Sequence, residues 1–211
     1  MIEARLETPQ NRAIAFNNRG NVHLNLKDHD RAIADYDEAI RLDPKYAFAF
    51  NNRGIAYRSK GRYDRAIQDY DRAIEISPNY AVAFFGRGLA YQDKAQWDFD
   101  AYLNEGRYED LAIRDYDEAI RLNPKNAAAF NNRGNLHVSK RNYDRAIQDY
   151  DEALRLDPDN ALFFRNRGNA LRITGQYRNA IVDFRKALAL KIDESTKKQI
   201  ETALKELGVA R

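Results

Sequence analysis

The feature that most restricts this chain is its periodicity. Glycines at Gly20, Gly54, Gly88, Gly134 and Gly168 are spaced 34, 34, 46 and 34 residues apart. Alanines at Ala32, Ala66, Ala112, Ala146 and Ala180 follow the same rhythm, and so do Pro44, Pro78, Pro124 and Pro158. A fixed period of this length marks a stacked-repeat architecture. The single long interval lies between Gly88 and Ala112, which puts 12 extra residues inside the third unit.

Each unit reads as a helical hairpin. In the first, Ala13, Phe16, Gly20 and His23 form one apolar stripe at helical spacing, and Ala32, Tyr36, Ala39 and Ile40 form a second. The stretch Leu42-Asp43-Pro44 ends the second helix, because proline disfavours helix at the residue before it. Two short amphipathic helices cannot bury their apolar faces alone, so neighbouring hairpins must stack. The units are 13–46, 47–80, 81–126, 127–160 and 161–194. Beyond them, Thr196-Lys197-Lys198-Gln199 reads as a capping box opening a final helix, so 195–211 is expected to be a polar-backed C-terminal cap. Residues 1–12 are expected to be an N-terminal extension or the remnant of a preceding repeat, since Glu3–Pro9 echoes Glu38–Pro44.

With those residues in view, the chain resembles the tetratricopeptide repeat (TPR) family. The second unit fills the family's positions 4, 8, 11, 20, 24, 27 and 32 with Phe50, Gly54, Tyr57, Ala66, Tyr70, Ala73 and Pro78. The likeness recurs five times over 13–194, although position 7, usually leucine, is arginine in every unit. Leu171 and Ile192 replace the tyrosine and proline of the fifth. The resemblance implies an all-α, right-handed TPR solenoid that works in protein–protein interaction, without enzymatic activity.

Two sets of polar residues recur with the repeat. Arg19, Arg53, Arg87, Arg133 and Arg167 stand at position 7, and Asp35, Asp69, Asp115, Asp149 and Asp183 at position 23. The positions face each other across a hairpin, which predicts partly buried ion pairs of forked geometry. At positions 5, 6 and 9, asparagine fills Asn17, Asn18, Asn21, Asn51, Asn52, Asn131, Asn132, Asn135, Asn166 and Asn169. Asparagine is a modest helix former, so propensity does not explain the concentration. Its amide donates and accepts together, as a peptide main chain does. In TPR proteins these positions line the concave groove, so the resemblance implies a peptide site there, with Phe85 and Arg165 beside the asparagines. Asn18, Asn52, Asn132 and Asn166 resemble the asparagine ladder of a TPR superhelix. The cations with which chaperone-binding TPR domains clamp a terminal carboxylate are absent: Val82 and Gly86 stand in their places.

The insertion adds Trp97, Phe99, Tyr102 and Tyr108, an aromatic set that either packs the lengthened helices together or forms an interaction patch. Two registers are open, with Trp97 or Tyr108 in the place of Tyr63. A self-associating scaffold, using this patch or the N-terminal end, is the alternative to a peptide adaptor, and a homo-oligomer is compatible with it.

Composition narrows the chemistry. With 35 Lys+Arg against 32 Asp+Glu, the charge is nearly balanced and no nucleic-acid partner is expected. No cysteine is present, and His23, His29 and His137 share no ligand spacing, so neither cofactor nor metal is expected. No apolar run reaches the roughly 20 residues of a membrane span. Zero cysteine suits cytoplasm and periplasm alike. The expected partner is a protein or peptide.

Overall fold

The computed structural model describes residues 8–97 and 106–209. Among them lie 11 α-helices and no strand. They are α1 (Pro9–Asn25), α2 (His29–Leu42), α3 (Ala47–Ser59), α4 (Tyr63–Ile76), α5 (Ala81–Trp97), α6 (Arg107–Leu122), α7 (Ala127–Ser139), α8 (Tyr143–Leu156), α9 (Ala161–Ile173), α10 (Tyr177–Ala189) and α11 (Glu194–Glu206). The chain divides into two compact units, 1–122 and 123–211.

Within the first unit, helices pair as hairpins α1/α2, α3/α4 and α5/α6. The turn between paired helices is tight and needs one residue in the left-handed region. Gly61 (φ 70°) supplies it between α3 and α4, whereas Lys27 (φ 61°) does so between α1 and α2. The second helix of each hairpin has a single apolar face centred on alanine and tyrosine: Ala32, Tyr36 and Ala39 in α2, and Ala66, Tyr70 and Ala73 in α4, all fully buried. The first helix is different, because it is covered twice. In α3, Phe50 and Gly54 face the partner helix α4, while Ala49 and Ala56 pack on the preceding hairpin. A wheel with one apolar side misses the second contact. Small residues make it possible: a Cβ on Gly20 would stand 2.5 Å from the Tyr36 ring, and one on Gly54 3.0 Å from that of Tyr70.

The third hairpin takes up half of its 12 extra residues at the inner ends of its two helices, and the rest fall outside the described residues. α5 runs 17 residues against the 13 of α3, and α6 runs 16 against the 14 of α4. Trp97 ends α5 and so does not take the place of Tyr63; Tyr108 lies in the first turn of α6, one residue further from Ala112 than Tyr63 is from Ala66. The Tyr108 ring stacks on Tyr91 at 6.2 Å, under the Lys94 ammonium. Phe99 and Tyr102 lie outside the described residues, and only the backbone of Trp97 is described.

In the second unit α7/α8 and α9/α10 repeat the hairpin, and α11 lays Ile200, Ala203 and Leu204 on Ala180, Phe184 and Ala187 of α10. Thr196 does not cap α11, contrary to the capping-box reading. Asp193 caps it, accepting from the Thr196 amide (2.9 Å) and hydroxyl (2.6 Å), because the helix begins at Glu194. At the other end of the chain, Thr8 caps α1 and Pro9 is its first residue, so α1 starts four residues before Ala13. The rest of the Glu3–Pro9 echo, residues 3–7, lies outside the described residues.

Candidate functional site

The arginines of position 7 bond across their own hairpins. Arg53 Nε donates to Asp69 Oδ2 (2.9 Å) and its Nη2 to Asp69 Oδ1 (2.6 Å), a fork across one hairpin. Arg87–Asp115, Arg133–Asp149, Arg167–Asp183 and Arg19–Asp35 have the same fork. A second carboxylate, which the spacing did not single out, comes from position 25 of the preceding repeat: Asp37 to Arg53, Asp71 to Arg87 and Asp151 to Arg167, each at 2.6 Å. Burial works against the Arg53 cation, and the bonds from Asp69 and Asp37 outweigh it, so its pKa stands above the ordinary arginine value. The signal for the second carboxylate was the aspartate that recurs two places after position 23.

The asparagines also bond between repeats. In the first unit, Asn52 Nδ2 donates to Asn17 Oδ1 (2.9 Å) and Asn21 Oδ1 (3.0 Å), while Asn51 Nδ2 donates to Asn52 Oδ1 (3.1 Å). The second unit repeats this with Asn166 Nδ2 on Asn131 Oδ1 (2.9 Å) and Asn135 Oδ1 (3.2 Å). Asn131 in turn donates to Asn132. Position 9 anchors the cluster to the core, since Tyr36 Oη donates to Asn21 and Tyr150 Oη to Asn135, both at 2.8 Å. Both N–H groups of Asn52 and of Asn166 are therefore used inside the protein. Asn18 stands exposed at the same position of α1. Arg165 reaches Asn166 and Gln199, and Asn169 lines a cleft against α11.

The network stops between α3 and α5. Ile55 replaces the position-9 asparagine and Gly86 the position-6 one. A Cβ on Gly86 would stand 2.6 Å from the Tyr70 ring, which fills the space an asparagine would need. Two buried atoms lose their protein partners as a result, Tyr70 Oη and Asn51 Oδ1. Phe85, next to Gly86, packs on Tyr116 at 5.8 Å between ring centres.

Beside the asparagines runs an apolar row at position 2. Ile14, Phe48 and Val82 of the first unit are exposed, at 44%, 55% and 51%. The Phe48 ring leans on Tyr46 (5.9 Å) and Tyr80 (5.1 Å). At positions 2, 5, 6, 9 and 13 of α1, α3 and α5 the one ionised side chain is Asp93, and Arg58 pairs with it at 3.2 Å. In a chain that is 32% charged, this face is electrically almost blank.

Among the described residues no group of His, Cys, Asp and Glu is placed to hold a metal ion, and no helix is long and apolar enough to cross a membrane.

Family models described as tetratricopeptide repeat match residues 13–46, 127–160, 35–68 and 149–182, and a further TPR repeat model matches 54–94 and 100–141. The chain belongs to the tetratricopeptide repeat family. Its fold is that of the all-α TPR solenoids, a scaffold for protein–protein interaction. Solved TPR structures align over most of the chain. MamA is 22% identical, with 84% of this chain and 90% of that one covered at a TM-score of 0.68. YrrB, titled a TPR protein with an unusual peptide-binding site, is 22% identical, with 90% and 92% covered at 0.66. A thermophilic TPR protein of Thermus thermophilus, TTC0263, is 20% identical, with 91% and 98% covered at 0.71. No curated protein matches this TPR chain in sequence.

Proposed function

We propose that this TPR protein is an interaction adaptor of five units, the third enlarged and the last capped, that holds an uncharged, apolar peptide segment on the first-helix face of α1, α3 and α5. The observation that carries the reading is the exposed row Ile14, Phe48 and Val82 along a face without free charge. Contiguous exposed apolar surface marks an interaction site more often than scattered residues do. The asparagine network makes the wall rigid and leaves the exposed Asn18 to meet a peptide backbone. The equivalent face of the second unit carries Leu162, exposed beside Asn166. A peptide-binding title among the structural relatives agrees with this reading.

The test is selection from a displayed random-peptide library on the full chain. Enriched peptides are expected to carry two or more apolar side chains. Their affinity should fall roughly tenfold or more in Phe48→Ala/Val82→Ala, whose side chains are exposed and therefore dispensable for folding. Equal affinity in that folded double variant rejects the site.

A further inference from the structure

Tyr46 and Tyr80 each stand immediately before a first helix, α3 and α5. The same place in the second unit holds Asn126 and Asn160, whose side chains accept from the amides of Ala129 and Leu162 and so cap α7 and α9. Tyr46 makes no such bond to α3. Asparagine is among the best N-caps, so tyrosine here gives up a local stabilisation. What it supplies instead is ring surface. The Phe48 ring, 55% exposed, packs on both tyrosines, 5.9 Å from Tyr46 and 5.1 Å from Tyr80, at interplanar angles of 54° and 58°. Rings splayed in this way leave shallow furrows between them. The path across the three ring centres is little longer than one turn of a polyproline II helix, about 9 Å.

The polar groups around this row favour one kind of main chain. The hydroxyls of Tyr46 and Tyr80 make no hydrogen bond among the described residues. Burial raises both above the usual phenol range, so each is a neutral donor. Acceptors are scarce beside them. Asn17 Oδ1 and Asn21 Oδ1 already receive Asn52, Asn52 Oδ1 receives Asn51, and Asn51 Oδ1 is buried. A peptide N–H laid against this wall finds little to bond, and a donor left unpaired is costly. Proline carries no N–H, while its carbonyl still accepts.

We propose that the row Tyr46, Phe48 and Tyr80 takes a proline-rich segment of a partner protein in the polyproline II conformation. Prolines three residues apart, which share one side of that helix, fill the furrows on either side of the Phe48 ring. A carbonyl of the segment accepts from a tyrosine hydroxyl. The proposal rests on the adaptor reading above and names the class of peptide. Charge is matched, since a proline run is neutral and the face carries no free charge. The segment is extended before it binds, so little conformational entropy is lost on docking. Aromatic-lined grooves are the general mode by which such segments are recognised.

The probe is fluorescein-labelled decaproline, titrated with the full chain and followed by anisotropy. A control peptide of the same length carries leucine at every third place and glycine elsewhere. Decaproline should bind saturably, one to one, and roughly tenfold more tightly than the flexible control. Phe48→Ala should weaken it roughly tenfold or more. Tyr80→Phe, which keeps the ring, should weaken it about threefold through loss of the hydroxyl donor. Decaproline that fails to bind, while library peptides selected as above bind and still need Phe48, overturns this inference and leaves the adaptor reading in place. Failure of both kinds of peptide removes both. A control that binds as tightly as decaproline overturns the inference, and so does decaproline binding that survives Phe48→Ala.

Discussion

Tyr36, Tyr70 and Tyr150 occupy one place in three repeats, and their hydroxyls meet different surroundings. Tyr36 and Tyr150 donate to Asn21 and Asn135, whereas Tyr70 is buried against Ile55 and Gly86 with no protein partner. Burial raises all three above the usual phenol range, so each stays a neutral donor under ordinary conditions. Tyr36→Phe should therefore cost about 0.5–1.5 kcal/mol in urea unfolding, while Tyr70→Phe costs nothing or stabilises slightly. Equal losses in the two would refute the assignment of the bond. Gly20→Ala should cost about 1–3 kcal/mol, because the Tyr36 ring already occupies the place of the new methyl. The arginine–aspartate pairing was legible at this scale from recurrence alone. The role of the asparagines as rivets between repeats was not, since an amide's partner depends on how far apart two helices settle.

At the scale of the element, the second helices are the better-defined part, with one apolar face and one solvated face. The forks of Arg53 and Asp69 tie each to its partner helix, and Asp69 is buried. Asp69→Ala leaves the Arg53 cation with the exposed Asp37 alone and should destabilise by about 3–5 kcal/mol in chemical unfolding. The inter-helix turn gives a gain instead. Arg141 holds φ at 59° where Gly61 and Gly175 hold the same turn in other repeats, so Arg141→Gly should stabilise by about 1 kcal/mol. For α11, bonds from the Thr196 hydroxyl and amide hold the Asp193 carboxyl below the ordinary Asp range. A depressed folded-state value means that this cap contributes fully above the unfolded Asp pKa and is lost as pH falls through the folded one. Amide exchange in α11 should accelerate on acidification below that range, and Asp193→Asn, which still caps, should remove the pH dependence.

For the whole molecule, stability in repeat proteins is a sum of hairpin terms and nearest-neighbour terms. Here the neighbour terms are concrete: Asp37, Asp71 and Asp151 reaching forward, and Asn52 and Asn166 reaching back. They leave the face of Ile14, Phe48 and Val82 free of structural duty. Because that face is uncharged, peptide affinity measured there should change little between low and high salt. Binding through charged groups would instead weaken as screening grows. A steep salt dependence would move the site elsewhere on the surface.

The order of apolar and small residues was enough to specify helical hairpins, their period and the forks within them, because those depend on spacing along one or two adjacent helices. Which polar groups are consumed between repeats and which atoms are left without partners beside Gly86 were decided by packing. Those outcomes depend on distances of about 3 Å between helices far apart in sequence, and no local pattern carries that information.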